Sequence, residues 1–171
     1  MLALRDCQMV RIQAKNAYSN SITTSMFNPT KESVRRFFCS AWRKHQSQQL
    51  LAPIEVTAAH WVEHHPEYHE LLSDEEAAVA AEFSPEQGQS NPFLHLSMHL
   101  AIDEQLSIDQ PTGVRAVFAM LTARAGGVHA AAHEAMECLG KVMWEAQQST
   151  LPTSPEALSA KYLEYLQQRV G

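Results

Sequence analysis

Strand-forming residues are scarce in this chain. Val, Ile and Thr together number 23 of 171, and sheets favour those β-branched types. Cysteine is sparse as well: Cys7, Cys39 and Cys138 lie far apart and form no C-x-x-C pair. That spacing excludes a disulfide framework or a zinc ribbon and points to reduced thiols in a cytosolic protein. Each cysteine is read as a small core residue. No apolar run approaches the ~20 residues that span a bilayer. Positive charge is short, with a formal net charge of −6, which argues against a general nucleic-acid partner. The nucleophile elbow G-x-S-x-G, the dinucleotide fingerprint G-x-G-x-x-G and the phosphate loop are all missing, and with them three common routes to catalysis.

Helix formers fill the space. Ala, Leu, Glu and Gln number 23, 16, 15 and 13, and all are compatible with helix. The expected fold is all-α, a single-domain bundle of roughly five to seven helices over residues 26–171. Residues 1–25 differ from the rest. They carry Arg5, Arg11 and Lys15 against Asp6, and end in a stretch rich in Asn, Ser and Thr. They read as a non-core extension, with Met26 as the natural start, although a basic, Ser-rich transit peptide has the same composition.

Helix signals recur from Asn28 onward. Asn28 can cap a first helix with Pro29 in its first turn, and Val34, Phe37, Phe38, Ala41 and Trp42 then give one apolar face. Arg35, Arg36, Arg43 and Lys44 fall on the other, solvated faces. Pro53 opens a second helix, with Ile54, Val56, Ala58, Trp61 and Val62 as apolar bulk, and Pro66 stops or kinks it. Ser73-x-x-Glu76 matches a capping box for a short helix to about Phe83, followed by a loop over 84–89. Asn91-Pro92 starts a helix to about Ile108, and Pro111-Thr112-Gly113 is a turn. Val114, Val117, Phe118 and Leu121 form a stripe that Gly126-Gly127 terminates. A long helix over 128–147 follows, with Val128, Ala132, Ala135, Leu139 and Val142 or Met143 on one side. Ser154-Pro155-Glu156 caps a last one that turns Leu158, Tyr162, Tyr165 and Leu166 inward. Trp42, Trp61 and Trp144 are read as core, and the seven methionines as gap fillers.

The unusual feature is histidine. Eight of the nine lie between positions 60 and 133, in four i,i+4 pairs: His60/His64, His65/His69, His95/His99 and His129/His133. That spacing puts two imidazoles on one helical face, where they can grip one metal ion. Glu137 extends the last pair by another four-residue step. The run from His133 to Glu137 is H-E-x-x-E, not the H-E-x-x-H of zinc proteases. A mixed His/Glu set suits zinc or iron, and helical bundles build such sites from facing helices. The pattern selects no reaction. Ser97 sits between His95 and His99 but points off their face, so it is not read as a nucleophile.

Other readings stay open. The histidines can be surface or capped residues, or pair with Glu63, Glu67 and Glu70, on a metal-free adaptor or dimer. Such a protein would use Phe37, Phe38 and Trp42, or another apolar face, against a protein partner or a second copy. A histidine cluster can also sense pH.

The segments Asn91-Pro92-Phe93-Leu94-His95-Leu96-Ser97-Met98-His99-Leu100, His65-Pro66-Glu67-Tyr68-His69 and Met136-Glu137-Cys138-Leu139-Gly140 are distinctive together. With Trp144-Glu145-Ala146-Gln147, Met26-Phe27-Asn28-Pro29 and Arg35-Arg36-Phe37-Phe38, the chain resembles the bacterial domain-of-unknown-function family 1841 from about Met26 to Tyr165. The resemblance implies a small helical cytosolic protein and no particular activity. It ranks His65, His69, His95, His99, His133 and Glu137 as the metal ligands, keeps His129 as a further one, and leaves His60 and His64 as bystanders.

Overall fold

A computed structural model describes residues 30–84, 90–148 and 154–171. The described residues carry eight α-helices and a 3₁₀ turn, and no strand. Helix α1 is Lys31–Gln46, α2 Pro53–Glu63, α3 His69–Ser73, α4 Glu75–Ala80, α5 Pro92–Ile108, α6 Val114–Ala125, α7 Val128–Gln147 and α8 Pro155–Val170. The all-α expectation holds. The count exceeds five to seven because the stretch after Pro66 divides into two short helices. None is long and apolar enough to cross a membrane. The extension over 1–25, the proposed cap at Asn28 and most of the 84–89 loop lie outside the described residues.

The chain forms two compact units, divided between Leu100 and Ala101. In the first, α1 is capped by Thr30, whose Oγ1 accepts from the Ser33 amide at 3.0 Å. Its buried stripe is Arg35, Phe38, Cys39, Ala41 and Trp42. Arg35 therefore corrects the expected solvated face: it is 1% exposed. The reason lies at the end of α4. The last carbonyls of a helix have no intrahelical partner, and Arg35 Nη1 points at three of them, Ala78 O at 3.0 Å, Val79 O at 2.7 Å and Ala81 O at 2.7 Å. The rings of Phe83 and Phe93 each lie 5.3 Å from its Cζ, so carbonyl dipoles and aromatic faces replace the water that burial removes.

Helix α4 itself is capped by Asp74, not Ser73. The Asp74 carboxylate accepts from the Ala77 amide at 2.9 Å, while the Ser73 hydroxyl donates back to His69 O at 2.7 Å. The helix stops at Ala80, short of Phe83. In α2, Pro53 occupies the first turn as expected, and Ala58, Ala59, Trp61 and Val62 are buried. Ile54 and Val56 are each 53% exposed and add nothing to the core. Phe38 and Trp42 are buried, so the apolar face assigned above to a protein partner is filled from within the unit.

The second unit contains the last turns of α5 with α6, α7 and α8. Its expected stripes are present: Val114, Val117, Phe118 and Leu121 on α6, and Leu158, Tyr162, Tyr165 and Leu166 on α8, are all buried. Between them α7 offers Ala131, Ala132 and Ala135, which lets the backbones approach. Gly126 ends α6 in the left-handed region, φ 82°, where a side chain would be strained. Ser154 caps α8 by accepting from the Ala157 amide at 3.2 Å. Trp144 departs from expectation. It is 61% exposed rather than core, and Val128 is half exposed.

Replacing Arg35 by Ala should lower the urea-unfolding free energy of the first unit by about 2–4 kcal/mol, as charged hydrogen bonds and packing go together. The same change at Arg36, half exposed and paired with Glu32 and Glu75, should cost far less, because water screens such pairs. Equal effects would refute the capping role of Arg35.

Candidate functional site

Pro66 decides where the histidines of the first unit point. A proline disfavours helix in the residue before it, and His65 accordingly leaves the helical region at φ −125°, ψ 67°. Residues Pro66–Tyr68 make a single 3₁₀ turn before α3 begins. The i,i+4 rule applies only inside a helix, so His65 and His69 do not share a face. His69 Nε2 donates to Val62 O at 2.8 Å, and its ring stacks on Trp42 with centroids 4.3 Å apart. The structure thus does not bring His69 together with His65 on one helical face.

His65 turns instead towards α5. Its Nε2 lies 2.8 Å from His99 Nε2 and 3.1 Å from His95 Nε2. His65 is 2% exposed and His99 fully buried. The His95/His99 pair does share a face of α5, as its spacing requires, with ring centroids 4.9 Å apart. The Trp61 indole stacks on His99 at 3.9 Å and 16° between planes, and Tyr68 stacks on His65 at 5.2 Å and 17°. Two aromatic rings therefore wall a group of three imidazoles. The sequence reads Trp61 as ordinary core and carries no signal that Tyr68 would stack on His65.

Protons can be assigned from the bonding. His65 Nδ1 lies 2.8 Å from Glu67 Oε1, and a carboxylate only accepts. Nδ1 carries the proton, so neutral His65 presents a lone pair at Nε2. That lone pair faces the Nε2 atoms of both His95 and His99. Partial burial pushes the Glu67 carboxyl up, but its hydrogen bonds with His65 and its own backbone outweigh this and hold it below the ordinary carboxylate range.

In the second unit His129 and His133 meet on one face of α7, with centroids 4.4 Å apart and rings near perpendicular. A ligand atom of one lies within 4.8 Å of a ligand atom of the other. Glu137 does not join them. Each four-residue step turns a helix by about 40°, and after two steps Glu137 faces outward. Its side chain is 64% exposed and bonded to Arg169 Nη2 at 2.8 Å. Glu134 is also taken, by Arg124 and Arg169.

Elsewhere the bland readings hold. His60 and His64 are exposed on α2, with His64 Nδ1 bonded to His60 O at 2.9 Å. His45 pairs with Glu63 at 2.9 Å. Ser97 donates to Phe93 O at 2.6 Å and does not engage the imidazoles as a nucleophile would. Cys39 and Cys138 are free, buried thiols; Cys7 lies outside the described residues.

The family model described as Domain of unknown function (DUF1841) matches residues 30–168, and the chain belongs to that family. No curated protein and no solved structure matches the chain.

The thiols give a test of this chemistry. Burial raises Cys39 from 9.0 to about 11, with the Glu75 charge adding and Arg43 opposing. At pH 8 its thiolate fraction is then about 10⁻³. Iodoacetamide labelling of Cys39, followed by peptide mass spectrometry, should be at least about 100-fold slower in the folded protein than in urea. The linked stability is complete below pH 9 and falls as pH rises towards 11, because the unfolded thiol ionises first. Rapid labelling of folded protein would contradict the burial.

Proposed function

We propose that this DUF1841 protein binds a divalent transition metal ion, zinc or iron, through His65, His95 and His99 of its first unit. One observation carries the reading: the His65 lone pair faces two further imidazole nitrogens at 2.8 and 3.1 Å inside a buried, aromatic-walled setting. Ligand nitrogens about 2.0–2.1 Å from an ion stand roughly 2.8–3.4 Å apart at angles between 90° and 109°. His65 Nε2 already stands close to that separation from His99 Nε2, at 2.8 Å, and from His95 Nε2, at 3.1 Å. Crowded ring nitrogens in a dry setting are costly unless protons or a metal lie between them. Neutral nitrogen donors favour zinc, iron, nickel or copper over magnesium or calcium. The His129/His133 pair of the second unit offers two more donors of the same kind. We place the protein in the cytosol, on the strength of its free thiols Cys39 and Cys138.

The adaptor reading keeps one specific support. Leu50 is 98% exposed and Trp144 61% exposed, and large apolar side chains in water can mark a contact with a protein partner or a second copy. It no longer has Phe38 and Trp42 to use.

Elemental mass spectrometry of the untagged full chain separates the two. The metal reading expects stoichiometric zinc or iron. Stripped protein should then gain about 2.7 kcal/mol of stability when the free ion is 100-fold above its Kd. His95→Ala, at the half-buried member of the set, should lose the metal with little effect on the melting of the stripped protein. His129→Ala with His133→Ala tests the second pair separately. Protein that contains no metal and gains no stability from zinc, iron, nickel or manganese would leave the adaptor reading.

A further inference from the structure

The geometry points to Glu67 as the positioning residue of this metal site, the group that makes His65 a ligand through Nε2. The inference rests on the metal reading above and goes beyond it in assigning a residue that need not touch the ion.

The neighbourhood of His65 explains why the carboxylate matters. A neutral imidazole has one N–H and one lone pair, and either ring nitrogen can carry the proton. Only the Nδ1–H form offers a lone pair towards His95 and His99. Glu67 selects that form, because its Oε1 sits 2.8 Å from Nδ1 and can only accept. The contact is not an ordinary surface pair. The His65 side chain is 3% exposed and the Glu67 side chain 55% exposed. One Glu67 oxygen is spent on a buried imidazole although the residue has ready access to water. A free carboxylate at a two-residue spacing would not be held there by side-chain preference alone. Pro66 sits between the two residues with its backbone angle restricted, and the 3₁₀ turn brings residue 67 back against residue 65.

The ring of His65 is therefore fixed on three sides. Glu67 holds Nδ1, Tyr68 covers one face at 5.2 Å, and Nε2 is directed at the two imidazoles of α5. A carboxylate behind a histidine ligand also raises the basicity of the ligating nitrogen, and losing such a partner typically weakens metal affinity by about 10–100-fold. His69, four residues on, shows the contrast. Its Nε2 is bound to Val62 O, so that nitrogen is occupied by a protein carbonyl.

The test uses the untagged full chain, stripped of metal, as wild type, Glu67→Gln, Glu67→Ala and, as a control on the same surface, Glu70→Gln. Zinc affinity is read by competition with a chromophoric chelator. The His65 tautomer is read by ¹⁵N NMR of the zinc-free protein. Glu67→Ala should weaken zinc binding by about 10–100-fold, Glu67→Gln by less, since the amide oxygen still accepts, and Glu70→Gln not at all. Wild-type His65 should carry its proton on Nδ1, and the Ala variant should lose that preference, a change that a purely structural glutamate would not cause. Should Glu67→Ala fail to fold, Glu67→Gln, which keeps the shape, carries the comparison. Wild type and variants with equal zinc affinity, or a wild-type His65 protonated on Nε2, overturn the role of Glu67 and leave the metal site standing. A wild type that takes up none of zinc, iron, nickel and manganese overturns both.

Discussion

The steric demand of one proline organises the first unit. Pro66 cannot follow a helical residue comfortably, so α2 ends at Glu63 and His65 leaves the helical region. Three consequences follow from that break. His65 swings towards α5 and meets His99 and His95. Glu67 returns on the 3₁₀ turn to hold His65 Nδ1. His69, now on a separate short helix, bonds to the last turn of α2 and stacks on Trp42. With a helix-forming residue at 66, His65 and His69 would share a face and none of these contacts would be made.

Charge burial supports the same unit from another direction. Arg35 lies inside, among the carbonyls that end α4 and between two phenylalanine rings. Its neighbours Arg36 and Arg43 reach Glu75 at the surface, where salt and water weaken such pairs. The arginines of one helix thus do two kinds of work, and the difference comes from what stands opposite each. Here Arg35 Nη1 alone meets three carbonyls at the end of α4.

Much of the fold was legible along the chain. Period-3.6 stripes over Val114–Leu121 and Leu158–Leu166 became buried faces without exception, and the bounds of α7 followed from Gly126-Gly127 before it. Pro53 and Ser154 marked two helix starts. What failed was local competition. Ser73 and Asp74 are both good caps and adjacent, and only packing of the two short helices chose the aspartate. Trp144 looked like core because tryptophan usually is, yet its position on α7 turns it outward.

By itself the sequence determined the all-α class, most helix limits, the family, and the pairing of His95 with His99 and of His129 with His133. Those are properties of spacing within one helix, where geometry is set by the backbone alone. Tertiary structure decided the rest of the site. It brought His65 to His95 and His99, sent His69 to a carbonyl, and gave Glu137 to Arg169. Contacts between helices depend on a break angle at Pro66 and on which partner lies across the gap, and neither is written in the period of a single helix.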